Sequence, residues 1–434
     1  MESSTIALII IGVTMVLYAT EYLPIAATSI LACIALAIFG VLPITGAFAG
    51  YGEDLVYLII GMIIVGNALF ETGVARFIGK KIISAAGTNE RLFMLALVPV
   101  TTLISMFLSN TATASIVLPL VAAAVTVSGG KLTKKNTFMM TGILAVAGGG
   151  LTLIGSPPQL IAQGFLVDGG HEIMGFFTIA RTGLPILALL LIYYQTIGFV
   201  LQKNLFGPSA LDDFGGAAAG PQPEPQAETP VAETEEEPKS VVKMIISVCI
   251  LLFCVVGFLS SLWSPGVVAM AGAVACVATG CLSQKRLFAT MDWTTVTVLG
   301  ASFGISAGMQ QSGAGAIVAQ TAINILGDAV TPWLLWSALV IISTIITNFM
   351  SSTATAALLV PIAGSVAIEL GLDVKPVVMA VAVAANVGYA TPVSTPPLTM
   401  TLAAGYRFKD YVILGGLFNL LAIILLILIY PIVF

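Results

Sequence analysis

The sequence predicts an all-α integral membrane protein: two inverted repeats with about ten transmembrane helices, two re-entrant hairpins and two broken helices. Three observations predict it. First, 58% of the 434 residues are hydrophobic and only 9% are charged, whereas a soluble domain carries about 25% charged residues. Such a chain cannot cover itself with polar surface, so lipid must be its main solvent. Second, apolar segments of about 17–25 residues, the length that crosses a bilayer, recur throughout the chain. Because they continue to Phe434, they are not a lone signal peptide. Third, three separate motifs recur in the same order at nearly constant spacing.

The N-terminal repeat, residues 1–201, begins with candidate spans at 5–20, 23–40 and 55–70. Residues 92–128 then contain two helix-length apolar runs separated by "SNTAT". A straight crossing would set those polar groups in hydrocarbon. Irregular backbone at that depth is tolerated only inside protein or beside water, so the segment reads as a re-entrant hairpin. A span at 137–165, interrupted by "GGGLTLIGSPPQ", and another at 179–201 complete the repeat.

Residues 202–242 form an acidic, Pro-rich segment that cannot bury enough apolar area to fold, so it reads as a disordered cytoplasmic linker. It holds eight of the chain's 21 acids and two of its 16 bases, leaving a near-neutral membrane body of 13 acids and 14 bases. No basic patch suggests nucleic acid. The C-terminal repeat, 243–434, has spans at 244–262, 266–281 and 294–311. A second hairpin follows at 333–370, then a broken span at 376–402 and a last span at 411–430.

The repeats declare themselves in three places. Gly73 aligns with Gly313, Ser109 with Ser351, and Pro157-Pro158 with Pro396-Pro397, at offsets of 240, 242 and 239 residues. "SNTATASIVLP" and "SSTATAALLVP" share six of eleven positions. Arg76, Lys80, Lys81, Arg91, Lys131, Lys134 and Lys135 flank the first hairpin, which the positive-inside rule therefore enters from the cytoplasm. The second hairpin is flanked by Asp328, Glu369, Asp373 and Lys375 and enters from outside. Five crossings per repeat invert the second copy, put Lys203, Lys285, Arg286, Arg407 and Lys409 in the cytoplasm, and leave both termini external. Inverted repeats of this kind are common in secondary transporters.

Each tip sets hydroxyls and backbone amides at a helix start, where partial positive charge and unpaired N–H groups attract anions. Proline breaks at 148–158 and 388–397 free carbonyls opposite the tips. One such cluster would be ordinary helix packing. Two matched pairs point to a substrate and coupling-ion site at mid-membrane. No Lys or Arg occurs in 92–130, 137–180 or 287–371, so a bound anion must be held by dipoles, hydroxyls and a co-bound cation. The tips and breaks also lack the buried carboxylate usual in proton-driven carriers, which favours sodium. The five cysteines match no metal spacing and read as small hydrophobes. His171 reads as a solvated loop residue and Arg181 as an interfacial anchor. Segments 74–85 and 316–326 read as interfacial helices beside the hairpins.

These tips and the Gly-Ser-Pro-Pro break resemble the divalent anion/sodium symporter family, within the wider ion-transporter superfamily. The resemblance spans nearly the whole chain, although family members often have an extra first helix. It implies transport of a dicarboxylate, tricarboxylate or sulfate with Na+, by a homodimer moving as an elevator, multi-pass in the inner (plasma) membrane. By motif it implies one sodium site from Ser105, Ser109, Asn110 and the break near Gly155. A second would use Thr347, Ser351, Ser352 and the break near Ala390. Substrate would touch Asn110, Thr111, Ser352, Thr353 and Pro392. The chain departs from the family at Ser352, where the second tip normally has Asn, and Asn348 one turn earlier is the candidate to compensate. That departure bears on the substrate, the number of sodium ions and the choice between symport and exchange.

The same scaffold also suits an ion antiporter, an arsenite-type efflux carrier or an anion exchanger without sodium. A membrane subunit needing a partner ATPase or binding protein is a weaker reading. No nucleophile–base pair or phosphate loop suggests an enzyme. In a cysteine-free background, impermeant thiol reagents are expected to reach cysteines at 110 and 352 from opposite membrane faces. Labelling of both from one face would refute the inverted arrangement.

Overall fold

The computed structural model describes residues 2–20, 22–74, 77, 89–128, 131–206, 240–260, 262–315, 317, 331–392 and 394–433. Most of the expected linker and of segments 74–85 and 316–326 lies outside these residues. The described elements are helical. In the first repeat they are α1 (Ser3–Thr20), α2 (Ile25–Ile38), α3 (Asp54–Glu71), α4 (Glu90–Ser105), α5 (Asn110–Val127), α6 (Lys134–Gly149), α7 (Pro157–Asp168), α8 (Ala180–Gln195) and α9 (Ile197–Leu205). In the second they are α10 (Val241–Ser260), α11 (Pro265–Ala278), α12 (Trp293–Gln311), α13 (Pro332–Thr347), α14 (Ser352–Glu369), α15 (Val374–Ala385), α16 (Pro396–Thr401) and α17 (Gly416–Val433). By length and composition four helices suffice to cross a membrane unaided, at 54–71, 241–258, 352–369 and 408–429; α8 and α9 add a pair bent by 47°. The other apolar helices are shorter.

The linker boundary differs from the sequence expectation, because α9 runs on to Leu205 and α10 begins at Val241. Tertiary contacts override composition here. Gln202 is buried and donates to the Asn136 carbonyl at 3.3 Å, and Lys203 pairs with the buried Glu90 carboxylate.

The repeats match in several individual hydrogen bonds and stops. α2 ends on Gly40 at φ +71° and α11 on Gly280 at φ +67°, a left-handed stop that glycine takes without steric cost. In each repeat the two residues after that glycine donate back to one carbonyl, Leu36 in the first and Cys276 in the second. Ser109 Oγ caps α5 by accepting from Ala112 N, and Ser351 Oγ caps α14 by accepting from Ala354 N, both at 3.2 Å.

The chain divides into two groups of helices. α3 crosses α11, α2 crosses α12, and α1 and α10 flank these crossings. Small residues set the spacing. Gly61 lies on the Ala269 backbone, and Gly304 lies on Ala47 and the Cys33 thiol. Asp54 braces the far repeat by accepting from Ser264 Oγ at 2.6 Å and Gly266 N at 3.0 Å. The second group sets α6 between α4, α5 and α16, and sets α15 between α13, α14 and α7. Each repeat thus supplies half of each group. Four of the five cysteines are buried and Cys249 is exposed; His171 stacks on Phe165, centroids 6.4 Å apart.

A Cβ at Gly61 would come within 2.6–2.7 Å of the Ala269 carbonyl oxygen and methyl. Gly61→Val is therefore expected to cost about 3 kcal/mol through overpacking. Thermal denaturation in detergent checks this; an unchanged midpoint would show that the crossing is loose.

Candidate functional site

In the first repeat α6 stops at Gly149 and α7 restarts at Pro157. Pro157 and Pro158 open α7 at positions that need no intrahelical donor. The carbonyls freed by the break face the tip of the α4–α5 hairpin. Thr152 Oγ1 donates to the Met106 carbonyl at 2.6 Å, pinning break to tip. Ser105 Oγ donates to the Ala145 carbonyl at 2.5 Å. One end of the Asn110 side-chain amide points into the same spot, 3.0 Å from the carbonyl oxygens of both Gly155 and Ala145 and 3.1 Å from Ser105 Oγ. That end meets acceptors only. With its nitrogen inward the amide donates to both carbonyls. With its oxygen inward it completes an all-oxygen nest, the donor set a hard cation takes. The protein groups by themselves satisfy the nitrogen-inward orientation, and the oxygen-inward one needs a positive charge between the oxygens.

Glycine shapes the nest. A Cβ on Gly149 would collide with the Asn110 amide and come within 2.6 Å of the Gly155 carbonyl, and a Cβ on Gly155 would collide with the Gly149 backbone. The Asn110 amide therefore fits because Gly149 carries no side chain, and the close approach of the two backbones holds because Gly155 carries none.

The second repeat copies this plan with different chemistry. Thr347 Oγ1 donates to the Ala385 carbonyl at 2.7 Å, and Thr391 Oγ1 pins the break to the tip through the Asn348 carbonyl at 2.6 Å. Asn348 does not reach into the vacated amide position. Its Nδ2 donates to the Thr344 carbonyl at 2.7 Å and its Oδ1 accepts from Ala390 N at 2.9 Å. The position that mirrors Gly155 is Ser394, whose hydroxyl donates to the Gly388 carbonyl. Ala390 instead lies where its N–H meets Asn348. Pro392 is buried, and its carbonyl accepts from Thr399 Oγ1 at 2.6 Å.

The two halves meet where Ser156 Oγ donates to Asn386 Oδ1 at 2.6 Å. Beside them lies a cavity of about 20 Å³, lined in part by Gln159, Asn386 and Tyr389, with room for one water. The last helix braces the second break. Asn419 Oδ1 accepts from Tyr389 N at 3.2 Å, and a π-helical turn at Tyr411–Gly415 lays Gly415 against the Tyr389 carbonyl.

Comparison with known proteins agrees with this architecture. A family model described as "Citrate transporter" matches residues 7–367 and 255–434. The chain belongs to the citrate transporter family. Among similar curated proteins is an uncharacterised transporter of Haemophilus influenzae, 27% identical over 95% of this chain and 88% of its own length. The sodium-dependent dicarboxylate transporter SdcS of Staphylococcus saprophyticus is 26% identical over 94% of this chain and 82% of its own. Sodium-dependent high-affinity dicarboxylate transporter 3 of Caenorhabditis elegans is 25% identical over 95% and 80%. The fold is similar to that of the Alcanivorax borkumensis YdaH transporter, with a TM-score of 0.62 at 13% identity, covering 89% of this chain and 86% of that one. It is also similar to Neisseria gonorrhoeae MtrF, with a TM-score of 0.59 at 14% identity, covering 99% and 95%. This citrate transporter family member is a multi-pass membrane transporter rather than an enzyme, as the symporter resemblance implied.

Within this family member the two tips differ in exposure. Ser109, Thr111 and Ser115 are exposed and Asn110 is half-buried, whereas Ser352 and Ala357 are buried and Ser351 and Thr353 half-buried. Packing explains the difference. α12 lies along α7 and α14, with the Phe303 ring against Gly164. The mirror pairing of α3 with α16 and α5 is not formed to a comparable extent.

Ser115 and Ala357 occupy mirror positions. In a cysteine-free background, Ser115→Cys is expected to react with a thiol reagent at least about tenfold faster than Ala357→Cys, because reaction at the buried position waits on opening. Equal rates would contradict the packing of α12 over the second tip.

Proposed function

We propose that this protein is a sodium-coupled carrier of a divalent anion, a dicarboxylate, tricarboxylate or sulfate, in the plasma membrane. The nest of oxygens around Asn110 carries the reading, because it has the form of a cation site built without a carboxylate. The relatives named as sodium-dependent dicarboxylate transporters support sodium and a small anionic substrate, and the family description supports a carboxylate class.

The chemistry follows from the residues. α5 and α14 begin at the tips, so their first N–H groups and the hydroxyls of Thr111 and Thr353 are available to an anion at the positive ends of helix dipoles. A cation held by Ser105 Oγ, Asn110 Oδ1 and the carbonyls of Ala145 and Gly155 adds the positive charge that no Lys or Arg supplies. It also fixes Asn110 with its nitrogen outward, where that nitrogen donates to a carboxylate or sulfate oxygen. Binding of cation and anion then favour one another by the same free energy, which is coupling. A proton-driven antiporter on this scaffold needs a carboxylate in the path, and residues 92–128, 137–167, 333–368 and 376–402 contain none.

The exposure of one tip and cover of the other support alternating access by an elevator motion, in the homodimer that the family resemblance implies. By the charge rule the open first tip faces the cytoplasm, so the structure has the character of an inward-open state. The mirrored state covers α5 with α3 and frees α14 from α12, with the crossings of α3 on α11 and α2 on α12 kept as the fixed frame.

Uptake of labelled succinate, citrate and sulfate into proteoliposomes, with and without an inward sodium gradient, tests the proposal. At least one anion is expected to enter faster with sodium. Asn110→Ala is expected to lower that uptake about 30-fold or more, corresponding to about 2 kcal/mol for a contact to a charged group, while leaving the protein folded. Sodium-independent uptake driven by pH would favour the antiporter; unchanged uptake by Asn110→Ala would remove the site.

A further inference from the structure

The two half-sites are not chemically equivalent. In the first, the Ala145 carbonyl accepts from Ser105 Oγ at 2.5 Å and the Gly149 carbonyl from Gln159 Nε2 at 3.4 Å, and the Gly155 carbonyl faces one end of the Asn110 amide, a group that can turn its oxygen inward. In the second, the oxygen that mirrors Gly155 meets a backbone N–H, which cannot turn away. The Ser394 carbonyl, mirror of Gly155, accepts from Ser352 N at 3.3 Å. The Ala385 carbonyl accepts from Thr347 Oγ1 at 2.7 Å. The Gly388 carbonyl, mirror of Gly149, accepts from Ser394 Oγ. Asn348, one turn before the tip, is consumed at both ends of its amide by Thr344 and Ala390.

The substitutions are reciprocal. Asn110 with Gly155 in the first half becomes Ser352 with Ser394 in the second. The Asn amide requires a bare backbone at Gly149, where a Cβ would collide with it, and Gly155 in turn lies directly against the Gly149 backbone. In the second half the tip side chain is shortened and the opposite residue gains a hydroxyl. That side chain approaches Gly388, where an added Cβ would come within 2.9 Å of both the Ser394 Cβ and the Thr347 methyl.

Resting on the sodium-coupled reading, we infer that only the first half-site takes a sodium ion, and that in the second the Ser394 hydroxyl and its neighbours hold break to tip by hydrogen bonds, with protons standing where a cation's charge would. The Ser352–Ser394 pair is then the determinant of ion number. It keeps the α14 tip in binding geometry at any sodium concentration, so that sodium gates the substrate through the α5 tip alone.

The inference has a structural corollary. Restoring the family's Asn at 352 by itself does not create a second site, because the Ser394 side chain occupies the space the amide needs. Both positions must change together.

The test measures sodium-dependent thermal stabilisation of the purified protein, with choline replacing sodium, and the sodium dependence of uptake. A Hill coefficient cannot exceed the number of coupled sites, so the wild type is expected to give a slope of about 1 in both. Ser352→Asn alone is expected to remain at about 1, and Ser352→Asn with Ser394→Gly to rise toward 2. The single variant Asn110→Ser, which puts the second tip's residue on the first and leaves Gly155 untouched, guards against a double variant that fails to fold. It is expected to fold and to lose sodium stabilisation. A wild-type slope near 2, a second sodium dependence from Ser352→Asn alone, or sodium stabilisation retained by Asn110→Ser would overturn the inference while leaving sodium coupling intact. No sodium dependence in the wild type by either measurement would overturn the transport reading as well.

Discussion

A helix interrupted inside a membrane leaves carbonyl and N–H groups that lipid cannot satisfy, and the structure depends on how each break and its facing hairpin tip satisfy one another. Thr152 to Met106 and Thr391 to Asn348 are the same bond made twice. So are Ser105 to Ala145 and Thr347 to Ala385. Each unpaired group would cost several kcal/mol in hydrocarbon, so these pairings fix the depth and register of each hairpin. Beside the first tip these pairings gather Ser105 Oγ and the carbonyls of Ala145 and Gly155 around one end of the Asn110 amide, the group of atoms proposed to hold a cation.

Building a site from dipoles and hydroxyls has a consequence for transport. A fixed Lys or Arg would hold a divalent anion on either side of the membrane and would itself need a partner whenever the site emptied. In the proposed site, oriented peptides and a mobile cation would provide the charge only when both solutes are present. The glycine contacts of Gly61 and Gly304 serve the opposite need. They bring helices of different repeats to backbone distance.

Much of this was legible in the sequence. The polar tips at Ser109 and Ser351, the breaks at Pro157 and Pro396 and the constant offset between repeats come from backbone requirements that composition records directly. Other features were not legible. Ser394 is inconspicuous in "TPVSTPP", and only the fold brings it opposite Ser352. Asn348 looks free to replace the missing amide, yet its own helix and the break consume it. The helix through Leu205 was hidden because the linker's composition begins to change before the tertiary contacts of Gln202 and Lys203 end. The packing of α12 along α7 and α14 beside the second tip has no trace in the sequence, because it depends on contacts between distant segments.

The most direct measurement of the central claim is a pair of electron cryo-microscopy maps of the protein, one in sodium and one in choline. In sodium, a density peak enclosed by Ser105 Oγ, Asn110 Oδ1 and the carbonyl oxygens of Ala145 and Gly155 is expected, and in choline the same nest without it. Maps that show the Asn110 nitrogen bonded to both carbonyls in either salt, with no peak between them, would contradict the account.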